Sequence, residues 1–185
     1  GNMVERRDVI KSRESIKQAF IDLRKNKALC KITVTKIIDY ANISKGTFYA
    51  HYADIYDLQE QIEYEMISNI FSGIENEDIE VIIEQPYKWV LQIITAIYNN
   101  RENIKCLMAS VNDYNFFFKC EDELLRLLQQ SNHYFNDDAK RQIVDHCVSS
   151  MIIKNCYSII NNESKNADLD KCAEIISEFI FKMLH

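Results

Sequence analysis

Glycine and proline are nearly missing from this chain: its 185 residues hold three glycines, one of them residue 1, and a single proline. Sheets depend on tight turns and tight turns depend on those residues, so the scarcity argues against a β or mixed architecture. It also excludes phosphate-cradling and dinucleotide-binding loops, because Gly46 and Gly73 are the only internal glycines and stand far apart. Long apolar runs are lacking too. The longest, such as "FFF" at 116–118 and "VII" at 81–83, fall far short of a bilayer span, and no charged-then-apolar leader opens the chain, so a soluble, cytoplasmic protein without membrane contact is expected. The six cysteines, at 30, 106, 120, 147, 156 and 172, include no close pair, and no histidine stands at a ligand spacing. Two ligands must converge on one small ion, so no metal site is expected and the thiols read as buried and free. Serine nucleophile elbows and HExxH are absent, and the paired acids Asp137/Asp138 and Glu121/Asp122/Glu123 read as helix starts and solvated faces. The chain is not expected to be an enzyme or to carry a cofactor.

What is present is helical periodicity on a chain that is 47% hydrophobic. Val9, Ser12, Ile16, Ala19, Phe20 and Leu23 share one face of a first helix over about 8–25. Thr33 caps a short second helix, about 34–41, with Val34, Ile37, Ile38 and Ala41 as its stripe. "NIS" turns the chain, Ser44 caps a third helix to about Tyr52, and Asp54 caps a fourth that ends near Gly73. After the acidic connector "ENEDIE", Pro86 stands in the first turn of the next helix. Further helices are expected at about 101–111 and 117–135, from Asp137 or Asp138 to about Ile160, and from Asp168 to the C-terminus. The fold class is all-α.

Charge is divided unevenly. Residues 1–53 carry eleven Lys/Arg against five Asp/Glu, whereas residues 54–185 carry eleven against twenty-three. A basic head on an acidic body suggests a polyanion partner at one end. Inside the head lies "ISKGTFYAHY", residues 43–52, with Gly46 in a helical setting where it costs roughly 0.5–1 kcal/mol relative to alanine. On a helical wheel Phe48 and Tyr52 turn inward, flanked by Ser44 and His51. Gly46 and Ala50 centre the outer face, with Tyr49, Thr47 and Lys45 around them. A bare centre with polar flanks suits a helix whose backbone must approach base edges in a major groove. Two short helices joined by a tight turn, with a longer helix behind, form a helix-turn-helix.

The segment "ITVTKIIDYANISKGTFYAHYADIYDL", residues 32–58, resembles the DNA-binding segment of the tetracycline-repressor (TetR) family of bacterial transcriptional regulators. The matching positions are Ile32, Thr33, Val34, Ile37, Ala41, Ile43, Ser44, Gly46, Thr47, Phe48, Tyr49, His51, Tyr52 and Leu58. The resemblance implies a DNA-binding domain over 3–53 and a ligand-binding and dimerisation domain over 54–185, with about nine helices in all. It implies a homodimer on a palindromic double-stranded operator, acting as a repressor released by a small-molecule effector. The alternative is a regulator of the same fold that has no effector of its own and acts through a protein partner. Carried onto matching positions, the DNA contacts would be Thr33, Thr35, Ser44, Lys45, Gly46, Thr47, Tyr49, His51 and Tyr52. Many relatives place a lysine at the start of helix four to hold a phosphate; here Ile55 stands there, leaving Lys45 and the N-terminal Arg6, Arg7, Lys11 and Arg13 as the available cations. The aromatic-rich middle supplies pocket candidates Trp89, Ile93, Tyr98, Phe117, Tyr134 and His146. The last two helices carry more apolar residues than one buried face can use, and Val144, Val148, Met151, Ile152, Ile159, Ile176, Ile180 and Met183 are the expected dimer contacts.

Overall fold

A computed structural model describes residues 2–75, 77–130, 135–162 and 168–185. Ten α-helices and no strands occur among them: α1 (Asn2–Arg24), α2 (Val34–Ala41), α3 (Lys45–His51), α4 (Ile55–Phe71), α5 (Ile79–Glu84), α6 (Pro86–Asn99), α7 (Arg101–Leu107), α8 (Asn115–Gln130), α9 (Asp138–Asn161) and α10 (Leu169–Leu184). The all-α expectation holds, and the caps explain why the helices start where they do. Thr33 accepts from the Lys36 N–H, Ser44 from Thr47, Asp137 from Ala139 and Lys140, and Asp168 from Lys171. Asn42, in the left-handed region at φ 52°, stops α2 and turns the chain toward α3. Helix α5 is an addition to the sequence reading, which passed from the acidic connector directly to Pro86. Its start is capped by Asp78, and the carbonyl of its buried Ile82 accepts from Trp89 Nε1 at 3.0 Å.

The chain forms two compact units. The first takes in residues 1–65 and 103–110. Its core is Ile16, Ala19 and Phe20 of α1, Ile37 of α2, Phe48 of α3, Leu58 and Ile62 of α4, and Ile104 and Leu107 of α7. The 103–110 segment is held there by the Arg24 guanidinium, which donates to the carbonyls of Cys106 (2.8 Å) and Met108 (2.5 Å). Gln59 adds a bond to the Leu107 carbonyl at 3.1 Å. The second unit takes in residues 66–102 and 111–185. In it α10 packs on α6, and α9 packs on both α8 and α6. Its core includes Val90, Ile93, Ile94 and Ile97 of α6, Phe117, Cys120 and Leu124 of α8, Ile152, Ile153 and Cys156 of α9, and Ala173 and Ile180 of α10. No helix among the described residues is long and apolar enough to cross a membrane.

Candidate nucleic-acid interface

Helix α3 is two-sided. Phe48 is fully buried and Tyr52, just past the helix end, is 2% exposed, while Lys45, Gly46, Tyr49 and Ala50 are exposed and Thr47 half-buried. The Ser44 hydroxyl accepts the Thr47 N–H at 3.0 Å and lies 2.8 Å from Thr47 Oγ1, so cap and first turn are locked together. The setting of Gly46 decides how this face reads. Its φ is not positive, so the backbone does not demand glycine. A Cβ built there would meet nothing nearer than Ser44 Oγ at 3.8 Å, so packing does not demand it either. The helix carries the conformational cost of glycine for no reason within the chain, and the space above it is open.

Around α3, Thr33 and Thr35 are exposed at the N-terminal end of α2, with the Thr33 hydroxyl already engaged by the Lys36 N–H at 3.2 Å. His51 is half-buried, and its Nε2 lies 2.9 Å from Ser12 Oγ of α1. Tyr52 requires a correction. The resemblance set it near the sugar–phosphate backbone, but its ring lies in the core of the first unit, as the helical wheel had it, because it follows Phe48 by one turn on the inward side. Its hydroxyl is buried without a well-aligned hydrogen bond, and the Arg13 guanidinium is the polar group that acts on it. The start of α4 carries carboxylates where a lysine was looked for. Asp54 Oδ1 accepts the Asp57 N–H and Asp57 Oδ2 accepts the Ala53 N–H, both at 2.8 Å, with Ile55 half-buried between them. That reciprocal cap stabilises the helix end and puts negative charge beside it.

The cations of the first unit fall into two groups. Lys17 lies between Glu14 (2.6 Å) and Glu65 (2.5 Å); burial opposes its charge, but the two carboxylates more than offset that and hold the ammonium above its usual pKa. Arg24 is committed to backbone carbonyls, and Lys36 Nζ donates to the Lys31 carbonyl at 2.7 Å. Arg6, Arg7, Lys11, Arg13 and Lys45 are exposed around α1 and α3. Lys25, Lys27 and Lys31 are exposed at the far end of α1 and beyond it, with Lys25 3.5 Å from Asp22, and together these residues supply positive charge that this end presents to solvent.

No family model matches the chain and no curated protein matches it. Among the solved structures that resemble it, two are similar over almost its whole length. One is described as the dihydroxyacetone kinase operon activator DhaS: 19% identity, TM-score 0.67, covering 94% of this chain and 96% of that one. The other is a TetR transcriptional regulator from Streptococcus agalactiae 2603V: 21% identity, TM-score 0.65, covering 100% of this chain and 99% of that one. The fold is TetR-like.

Within this TetR-like fold the described pocket candidates lie on three helices of the second unit, Trp89, Ile93 and Tyr98 on α6, Phe117 on α8 and His146 on α9. Trp89 and Ile93 are buried, and Trp89 is tied to Ile82. Phe117 is buried against the rings of Tyr114 (5.6 Å) and Tyr157 (5.1 Å). Tyr98 lies half-buried under the Arg101 guanidinium at 4.2 Å, and exposed His146 bonds its own helix through the Gln142 carbonyl at 2.7 Å. Tyr134 lies outside the described residues. One cleft of about 460 Å³ is lined by Glu84–Lys88 and the end of α10, and another of about 490 Å³ by Ala28–Cys30, Ile32, Val34, Asp54–Tyr56 and Ala109. None of the six candidates lines either cleft.

A polar network lies beside Phe117, and sequence reasoning did not single it out. Glu121 accepts from the Tyr114 hydroxyl through its carboxylate, from Ser150 Oγ at 3.2 Å, and through its backbone carbonyl from Ser149 Oγ at 2.8 Å. Burial first, then the Glu121 bond, pushes the Tyr114 hydroxyl far above its ordinary pKa, so it stays protonated as a donor. The expected dimer residues also shift. Val144, Val148, Ile152, Ile176 and Ile180 are buried within the single chain, because their faces of α9 and α10 pack on α6 and α8. Met151, Ile159 and Met183 are half-buried. The apolar surplus of these helices lies on their outer faces instead, at Ile143 (65% exposed), Ile175 (45%) and Phe179 (56%), with exposed Cys147.

Proposed function

We propose that this protein is a sequence-specific DNA-binding transcriptional regulator that inserts α3 into the major groove. The observation that carries the reading is the open, exposed Gly46 face, where a glycine that neither packing nor backbone demands leaves room for another molecule. Lys45, Thr47 and Tyr49 flank that face and supply donors and acceptors for bases and phosphates. Ser44, Thr33 and Thr35, at the starts of α3 and α2, are assigned to the phosphates on either side. The TetR-like fold, shared with two proteins described as regulators, supports the same role. Selection from a random-sequence duplex pool tests it: one enriched motif is expected, and no enrichment at low salt overturns it.

One seven-residue recognition helix reads too few base pairs alone, so the functional form is a homodimer on a palindrome. Ile175 and Phe179, one turn apart on the outer face of α10, are assigned to the contact between copies, with Ile143 and Cys147 of α9. Phe179→Asp should convert a dimer to a monomer in size-exclusion chromatography with light scattering; a wild-type monomer at micromolar concentration contradicts the assignment. Repression relieved by a small-molecule effector is the regulatory mode proposed. Such an effector must bind the DNA-free conformation more tightly than the DNA-bound one, and a ligand that binds without changing operator affinity removes that part of the proposal. A second reading, regulation through a protein partner, draws on the carboxylate-capped start of α4 with Ile55 in place of a lysine. Absence of DNA binding at low salt together with capture of a specific protein favours it.

A further inference from the structure

The first half of α1 stands almost free. From Met3 to Glu14 every side chain with a described placement is exposed except half-buried Ser12, and the first buried residue of the helix is Ile16. Two ties join this stretch to the end of α3: Ser12 lies 2.9 Å from His51, and the Arg13 guanidinium interacts with the Tyr52 hydroxyl. The Ser12 hydroxyl also lies 3.0 Å from the Val9 carbonyl. With its one hydrogen on that carbonyl it accepts from an Nε2–H on His51, and with it turned to Nε2 it donates to the other tautomer, so a neutral ring keeps the bond either way. Burial, and then the nearby Arg13 charge, lower the His51 pKa, which favours the neutral ring. Arg13 is the charge that acts on the ring, and no charge on α2 or α4 does so among the described residues. Arg6 and Arg13, seven residues apart, fall on one side of α1, two turns along the same edge.

We propose that the Ser12–His51 hydrogen bond is a positioning latch: it holds the outer half of α1 at one roll angle against the end of α3, so that Arg6 and Arg13 meet backbone phosphates beside the groove that α3 reads. The inference rests on the DNA-binding reading and adds to it a second contact element whose register is set by a bond between residues far apart in sequence. A free helix end would bring its arginines to many places and hold none. A latched one loses that freedom before DNA arrives, and each phosphate it meets displaces counterions.

The test uses the full chain and the duplex that the wild type enriches from a random pool, with affinity followed from about 50 to 200 mM KCl. Ser12→Ala should weaken binding roughly three- to tenfold. It should also make the slope of log affinity on log salt shallower by about one to two units, and speed amide exchange across residues 4–12. His51→Asn, too short to reach Ser12, should do the same, and the double variant should be no worse than either single one. Ser12→Thr, which keeps the hydroxyl, and His51→Gln, whose amide nitrogen stands near the place of Nε2, should restore both affinity and slope. Wild-type affinity and slope in Ser12→Ala overturn the latch, as does an affinity loss with an unchanged slope or losses that add in the double variant. A wild-type chain that enriches no duplex overturns the DNA-binding reading itself and the latch with it, an outcome distinct from binding that Ser12→Ala leaves untouched.

Discussion

The two internal glycines occupy opposite situations. Gly73 follows the end of α4, and a Cβ placed on it would lie 1.8 Å from Gln92 Nε2 and 3.0 Å from Gln92 Cδ. Its missing side chain is filled by a neighbour within the second unit. Gly46 has nothing over it but Ser44 Oγ at 3.8 Å, although its helix is otherwise capped, packed and ordered. A side chain left out where a neighbour fills the space belongs to the fold. One left out where nothing fills it points outside the chain, and the flanking Lys45, Thr47 and Tyr49 give the visitor its polar contacts.

The comparison breaks most sharply if bulk is added at each site. Gly46→Leu should weaken operator binding roughly a hundredfold, as expected where several atoms are forced into a close-packed contact, while its unfolding midpoint stays near wild type; a fluorescence anisotropy titration beside a urea melt reads both. Tyr49→Ala should cost about 1–3 kcal/mol of operator binding if the ring reaches a base edge, and an unchanged affinity removes Tyr49, 49% exposed beside the empty space, from the interface. Smallest is Gly73→Ala. The atom in the way is the far end of a flexible side chain, so Gln92 swings aside, and the stability change should stay within about 0.5 kcal/mol with operator affinity unaltered. A large loss of DNA binding there would erase the distinction between the two glycines.

Much of this was legible before any coordinates. The scarcity of glycine and proline made the chain helical, polar residues at the starts of stripes marked the caps, and the wheel of 44–52 separated Phe48 and Tyr52 from the outer face. Three things were not legible, each for a physical reason. Helix α5 has six residues, too few to show a 3.6-residue period, and rests on its Asp78 cap and the contact of Ile82 with Trp89. The outer faces of α9 and α10 could not be told from the buried ones, because both helices are apolar over wide arcs and only packing on α6 and α8 chooses which residues the core takes. The Ser12–His51 bond joins residues in different helices, and its one trace in the sequence is a serine inside an otherwise apolar stripe.

Gly46→Ala puts the central claim to the most direct test, because the fold and the interface want opposite things at that atom. Alanine fits the helix with open space around its methyl, so the variant should be more stable than wild type by about 0.4–1 kcal/mol in equilibrium urea unfolding, while its affinity for the enriched duplex falls. A variant that loses stability, or that gains it and binds as tightly as before, would show that the empty space over Gly46 is not where DNA goes.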